Sequence, residues 1–95
     1  MDITIYYRKN LKLTPQKLAS ACSHVSASLL DQWKEQATCY EHYYPEDTVI
    51  KVLMASDRRF NTYVEYNNHE ISHLHVDKGL TEVEPDTPIA FGFIE

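Results

Sequence analysis

At the start of the chain Ile3, Ile5 and Tyr7 alternate with Thr4, Tyr6 and Arg8. This period of two sends every second side chain to one face of a strand. Arg8-Lys9-Asn10 ends the pattern, and Thr14-Pro15 opens a different one. Threonine caps a helix with its hydroxyl, and proline is pre-shaped for the first helical position. Leu18, Cys22, Val25, Leu29 and Trp33 then recur at helical spacing, with Ala21 and Leu30 widening the stripe. The spacing predicts an amphipathic helix from about Pro15 to about Ala37. Lys17, Ser20, Ser28, Asp31, Lys34 and Glu35 fall on its opposite, polar side. Leu29 and Trp33 are the expected anchors of the helix on a sheet.

Beyond the helix the period shortens again. Pro45 forbids its continuation, and Val49-Ile50-Lys51-Val52-Leu53-Met54 is a nearly unbroken apolar run of strand length. It predicts a central strand covered on at least one face. Ala55 to Arg59 reads as a hairpin loop. Phe60 to Tyr66, rich in aromatic and β-branched residues, reads as the next strand. Asn67-Asn68 suits a tight turn, after which His69 to Val76 would return antiparallel. Pro85-Asp86-Thr87-Pro88 marks a loop before a last strand at Ile89 to Ile94, where Gly92 signals a bulge or a close contact.

Together these elements predict an α+β fold in the order β-α-β-β-β-β, spanning residues 1–95 as a single domain. One long amphipathic helix packs on one face of a four- or five-stranded, mostly antiparallel sheet. The other face would lie open, carrying Tyr6, Arg8, Tyr63 and Glu65.

The chain has 95 residues, with 43% apolar and 24% charged side chains, which is ordinary for a globular domain. Its formal net charge is −5. The basic residues pair closely only at Arg8-Lys9 and Arg58-Arg59, which argues against nucleic-acid binding, because phosphate recognition needs clustered Lys and Arg. Cys22 and Cys39 form no CxxC and are too few for a disulfide framework. No signal sequence and no apolar run of spanning length is present. The chain is therefore expected to be cytoplasmic, with no membrane partner.

One short pattern carries chemistry. His69-Glu70-Ile71-Ser72-His73 resembles the HExxH signature of zincin metallopeptidases. That resemblance implies His69 and His73 as zinc ligands one helical turn apart, with Glu70 as general base. The reading requires a helix. In a strand, His73 and His75 would instead share a face with His69 and Ile71. No G-x-S-x-G and no glycine-rich phosphate loop occurs.

These patterns give an architecture and no catalytic centre, so the sequence reading favours a small acidic non-enzymatic protein-binding domain without a cofactor. It would act alone or as a homodimer, and its partner would be another protein, basic in charge. The expected binding segment is Tyr40, Glu41, Tyr43, Tyr44, Glu46 and Asp47. It holds tyrosines and carboxylates at no core-facing period, the mixture that protein interfaces favour. The alternatives are a minimal zinc metallopeptidase at His69, Glu70 and His73, and a structural subunit of a larger assembly.

Overall fold

The computed structural model describes residues 1–36, 47–77 and 86–95. Strand β1 (Asp2–Arg8) leads through a short 3-10 turn (Lys9–Leu11) into helix α1 (Pro15–Gln36). Strand β2 (Val49–Ala55), helix α2 (Asp57–Glu65), strand β3 (Ser72–Asp77) and strand β4 (Thr87–Ile94) follow. The four strands form one sheet in the order β2-β1-β4-β3. β1 pairs with β2 in parallel and with β4 antiparallel, and β3 pairs with β4 antiparallel. The expected α+β class with a mostly antiparallel sheet is what is found.

The first pairing explains why α1 lies where it does. Parallel neighbours need a long crossover, and a helix is the usual way to make one. The helix starts where Thr14 accepts a 3.2 Å hydrogen bond from the Lys17 amide. It buries Ala21, Val25 and Leu29 completely, against Ile3, Ile5, Ile89 and Ala90. Leu29 is thus the anchor expected of it, whereas Trp33 is only half-buried.

The opposite face holds a second core, and here the sequence expectation is corrected. Residues 57–65, read as part of a loop and a strand, form α2. Ser56 caps it by accepting from the Arg59 amide, and Asp57 in its first turn suits the helix dipole. Phe60 and Val64, one helical turn apart, pack on Ala55, Phe91, Phe93, Tyr6 and Leu74. The sheet is therefore covered on both faces. Arg8, expected to stand in the open, ties three elements together: its guanidinium holds both carboxylate oxygens of Asp57 at 3.0 Å and donates to the Pro88 carbonyl at 2.9 Å.

β2 is the other correction. It is an edge strand, with Ile50, Val52 and Met54 each 42–56% exposed. Helix α1 packs over β4 and β3 and reaches Ile3 and Ile5 of β1, and among the described residues little covers β2 beyond them on that side. A register shift between β3 and β4, where Val76 pairs with Pro88, lets the consecutive Ile89 and Ala90 both join the α1-side core.

Gly92 is the close contact that its position suggested. A Cβ there would lie 2.4 Å from Val25 Cγ1 and 3.2 Å from Ile5 Cγ1. Alanine usually stabilises a strand relative to glycine, but here it would overpack the helix contact. Gly92→Ala is expected to lower stability by about 1–3 kcal/mol in thermal or urea unfolding. Adding Val25→Ala should recover part of that loss; strictly additive effects would show that the two residues do not meet.

Candidate functional site

Helix α1 runs along β3 in the opposite direction, and three contacts record this. Near its C-terminal end Gln32 donates to the Ser72 carbonyl at 2.8 Å. In its middle the His24 ring stacks on His75, with centroids 5.0 Å apart and planes within 6°. In its first turn the Lys17 ammonium forms an ion pair with Asp77, the last residue of β3.

The Lys17–Asp77 pair is the chemically distinctive feature of the molecule. The side chains are only 13% and 5% exposed, and such groups are rarely buried unless paired. Lys17 also sits at the positive end of the helix dipole, where an ammonium is disfavoured. The Asp77 carboxylate offsets that penalty. Keeping such a pair where a helix start meets a strand end places a preorganised cation and a potential proton acceptor side by side.

The histidines behind the pair are electrostatically constrained. Strand alternation puts His73, His75 and Asp77 on the α1 face. Burial, reinforced by the nearby His24, holds His73 below the ordinary value of 6.5. For His75 burial again comes first, followed by His24, His73 and Lys17, with Asp77 opposing them. Both imidazoles are therefore neutral near neutral pH.

Sequence reasoning missed this site. It placed Lys17 on the polar side of α1, yet Lys17 precedes Ala21 by one helical turn and so shares the sheet-facing side. Asp77 lies 60 residues away in the chain, a distance no local pattern bridges. The spacing of Lys17, Ala21, His24 and Val25 was the signal available.

The residues that were expected to act fare differently. His69 precedes β3, and its ring stacks on Phe93 on the α2 face, with centroids 3.8 Å apart. His73 belongs to β3 and faces α1. The helix required for a zincin site is replaced by coil and strand, and His69 and His73 point to opposite sides of the sheet. His73 and His75 do share a face, with Ile71 packed on the same side, but His69, which the strand reading placed with them, lies on the other. Asp47 is exposed just ahead of β2. Tyr40, Glu41, Tyr43, Tyr44 and Glu46 lie outside the described residues. None of the described helices is long and apolar enough to cross a membrane.

Depressed histidines tie the fold to pH. The unfolded chain protonates His73 and His75 near 6.5 while the folded chain resists, so below that pH the unfolded state binds more protons. Thermal unfolding followed from about pH 7.5 down to about pH 5 is expected to show stability falling beneath 6.5. His75→Gln should flatten the decline. An unchanged slope would remove His75 as its source.

Compared with known families, residues 1–94 match the model described as peptidyl-tRNA hydrolase PTH2, and the chain belongs to that family. No curated protein matches it. The match overturns the reading as a non-enzymatic protein-binding domain, because the family is one of hydrolases. It equally overturns the exclusion of nucleic acid and the choice of a protein partner, because the family's substrate is joined to tRNA. Net charge misled because it sums over the whole chain. Lys9 opens the 3-10 turn and Lys12 follows it, both exposed and just ahead of Lys17 in the chain, a local basic stretch on an acidic molecule.

Proposed function

We propose that the chain cleaves peptidyl-tRNA by direct attack of water, with Lys17 and Asp77 as its catalytic residues. The observation that carries this is their buried ion pair at the start of α1. The bond to be broken is the ester between the peptide's terminal acyl group and a ribose hydroxyl of the tRNA. In this reading Asp77 takes a proton from water as the water oxygen adds to the acyl carbon. The negative charge that develops on the carbonyl oxygen falls to the Lys17 ammonium, which has three donors and needs one for Asp77. When the ester C–O bond breaks, Asp77 returns the proton to the departing ribose oxygen, leaving free tRNA and a peptide carboxylic acid that ionises at once. No covalent enzyme intermediate is required.

Low exposure favours this division of labour, since charge–charge terms strengthen as water is excluded. β1 and β3 both run antiparallel to β4, so the turn after β1 lies at the end of the sheet that holds Asp77, and in this reading Lys9 and Lys12 meet tRNA phosphates there. A cytoplasmic location is part of the same proposal, since peptidyl-tRNA arises where translation occurs.

Removing one member of a buried pair leaves the other charge stranded, at a cost of about 3–5 kcal/mol, so single variants risk unfolding. The informative variant is Lys17→Met/Asp77→Asn, which removes both charges together. With folding verified by circular dichroism, hydrolysis of peptidyl-tRNA should fall at least about a hundredfold. A folded double variant within about tenfold of the wild-type rate would refute the assignment.

A further inference from the structure

On the sheet face opposite Lys17 and Asp77, a pocket of about 280 Å³ opens between α2 and the strands. Its walls are rings: Tyr6, Tyr63, Tyr66, His69, Phe91 and Phe93. Two of its faces are stacks, Tyr6 on Tyr63 at 4.4 Å and His69 on Phe93 at 3.8 Å, the latter with planes within 8°. Phe91, buried and tilted against Phe93 with centroids 6.0 Å apart, completes the lining. The reaction site uses none of these residues.

Two observations distinguish the pocket from a flaw in the packing. The segment that brings His69 to its place is braced: Asn67 accepts from the His69 amide at 3.0 Å and donates to the Ser72 hydroxyl at 2.9 Å. The wall is therefore set before any ligand arrives, which lowers the ordering cost of binding. Tyr66, at the end of α2, lines the pocket and yet remains 75% exposed. A large ring beside a well-packed aromatic core, but left out of it, is the arrangement of a stacking platform at a pocket mouth.

The lining also restricts the ligand. Among the described residues no Lys or Arg lines the pocket, so those residues give it no grip on a phosphate. Flat walls select a flat guest, and the exposed Asn68 at the rim supplies an amide donor and acceptor suited to a base edge. An unpaired nucleobase meets these conditions, because every base has a π-face and single-stranded RNA is recognised largely by stacking. The charged contacts would then stay at the basic edge around Lys9 and Lys12, and the base contact would be made remotely. His69 and Asp77 lie at opposite ends of β3, separated by at most about 26 Å of extended chain.

We propose that this aromatic pocket receives one unpaired nucleobase of the tRNA substrate, at a point distinct from the hydrolysed ester. The proposal rests on the peptidyl-tRNA reading above, but its first test does not. Adenosine, which has no phosphate, is titrated into the full chain and followed by amide NMR. Saturable shifts are expected at Tyr66, Asn67, Asn68 and His69, and Tyr66→Ala and His69→Ala should each raise Kd at least about fivefold, the weak end of what one base stack contributes. The exposure of Tyr66 makes Tyr66→Ala the variant that keeps its fold, which its own amide spectrum verifies. The KM for peptidyl-tRNA should rise by a similar factor in Tyr66→Ala. Absent shifts with adenosine, or shifts produced by tetramethylammonium instead, would overturn the proposal in favour of an empty cleft or a cation cage. Adenosine binding without any change in KM would overturn the assignment to the tRNA substrate. Loss of the Lys17 and Asp77 role leaves the adenosine titration readable, so the two readings fail separately.

Discussion

Helix α1 can bring Lys17 to Asp77 only because β4 presents no side chain beneath Val25. Gly92 leaves the surface of the sheet low at that point, and Val25, Ile5 and the Thr4 carbonyl fill the space a Cβ would need. A larger residue there would press on Val25, and so on the helix that carries Lys17. The seating of the helix therefore comes from sterics and the chemistry from electrostatics. The first is a precondition for the second. A buried pair of opposite charges is a poor source of stability on its own, so the apolar contacts of Ala21, Val25 and Leu29 must hold the helix against the cost of keeping those charges dry.

Much of this frame was legible in the chain. The alternation from Ile3 to Tyr7, the stripe through Leu29 and the close contact at Gly92 each express one local rule with no competitor. The failures came where two rules competed. Phe60, Thr62, Tyr63 and Val64 have strand-forming composition, but Ser56 and Asp57 supply a cap and a first-turn charge, and the spacing of Phe60 and Val64 matches a helix. Capping and periodicity prevailed over propensity. In β2 the apolar run was a sound signal for a strand and a poor one for burial, since burial depends on where α1 crosses the sheet. His69 and His73 matched a motif in spacing alone; the strand that contains His73 turns the two rings apart.

The functional pair was beyond local reading for a different reason. Lys17 and Asp77 are each unremarkable in their own stretch of chain, one a helix-start lysine and the other a strand-end acid. Their meaning lies in the antiparallel alignment of α1 with β3, which also sets His24 on His75 and Gln32 on Ser72. Family membership and geometry meet at this point: the family names a hydrolase of a tRNA-linked substrate, and the alignment brings together the lysine and the aspartate to which the proposed hydrolysis assigns the oxyanion and the proton.

Strand β2 carries a different kind of consequence. Among the described residues it is the terminal strand of the sheet, and its outer edge carries one row of backbone donors and acceptors that none of them pairs, beneath the exposed side chains of Val49, Ile50, Val52, Leu53 and Met54. Such edges nucleate intermolecular strand pairing unless charge or irregularity interrupts them. Lys51 is the only charged residue from Val49 to Ala55, and it stands at the third of seven positions, where a gatekeeper divides the apolar run most effectively. Lys51, outside both core clusters, is thus the residue of β2 best placed to oppose association of the chain at high concentration.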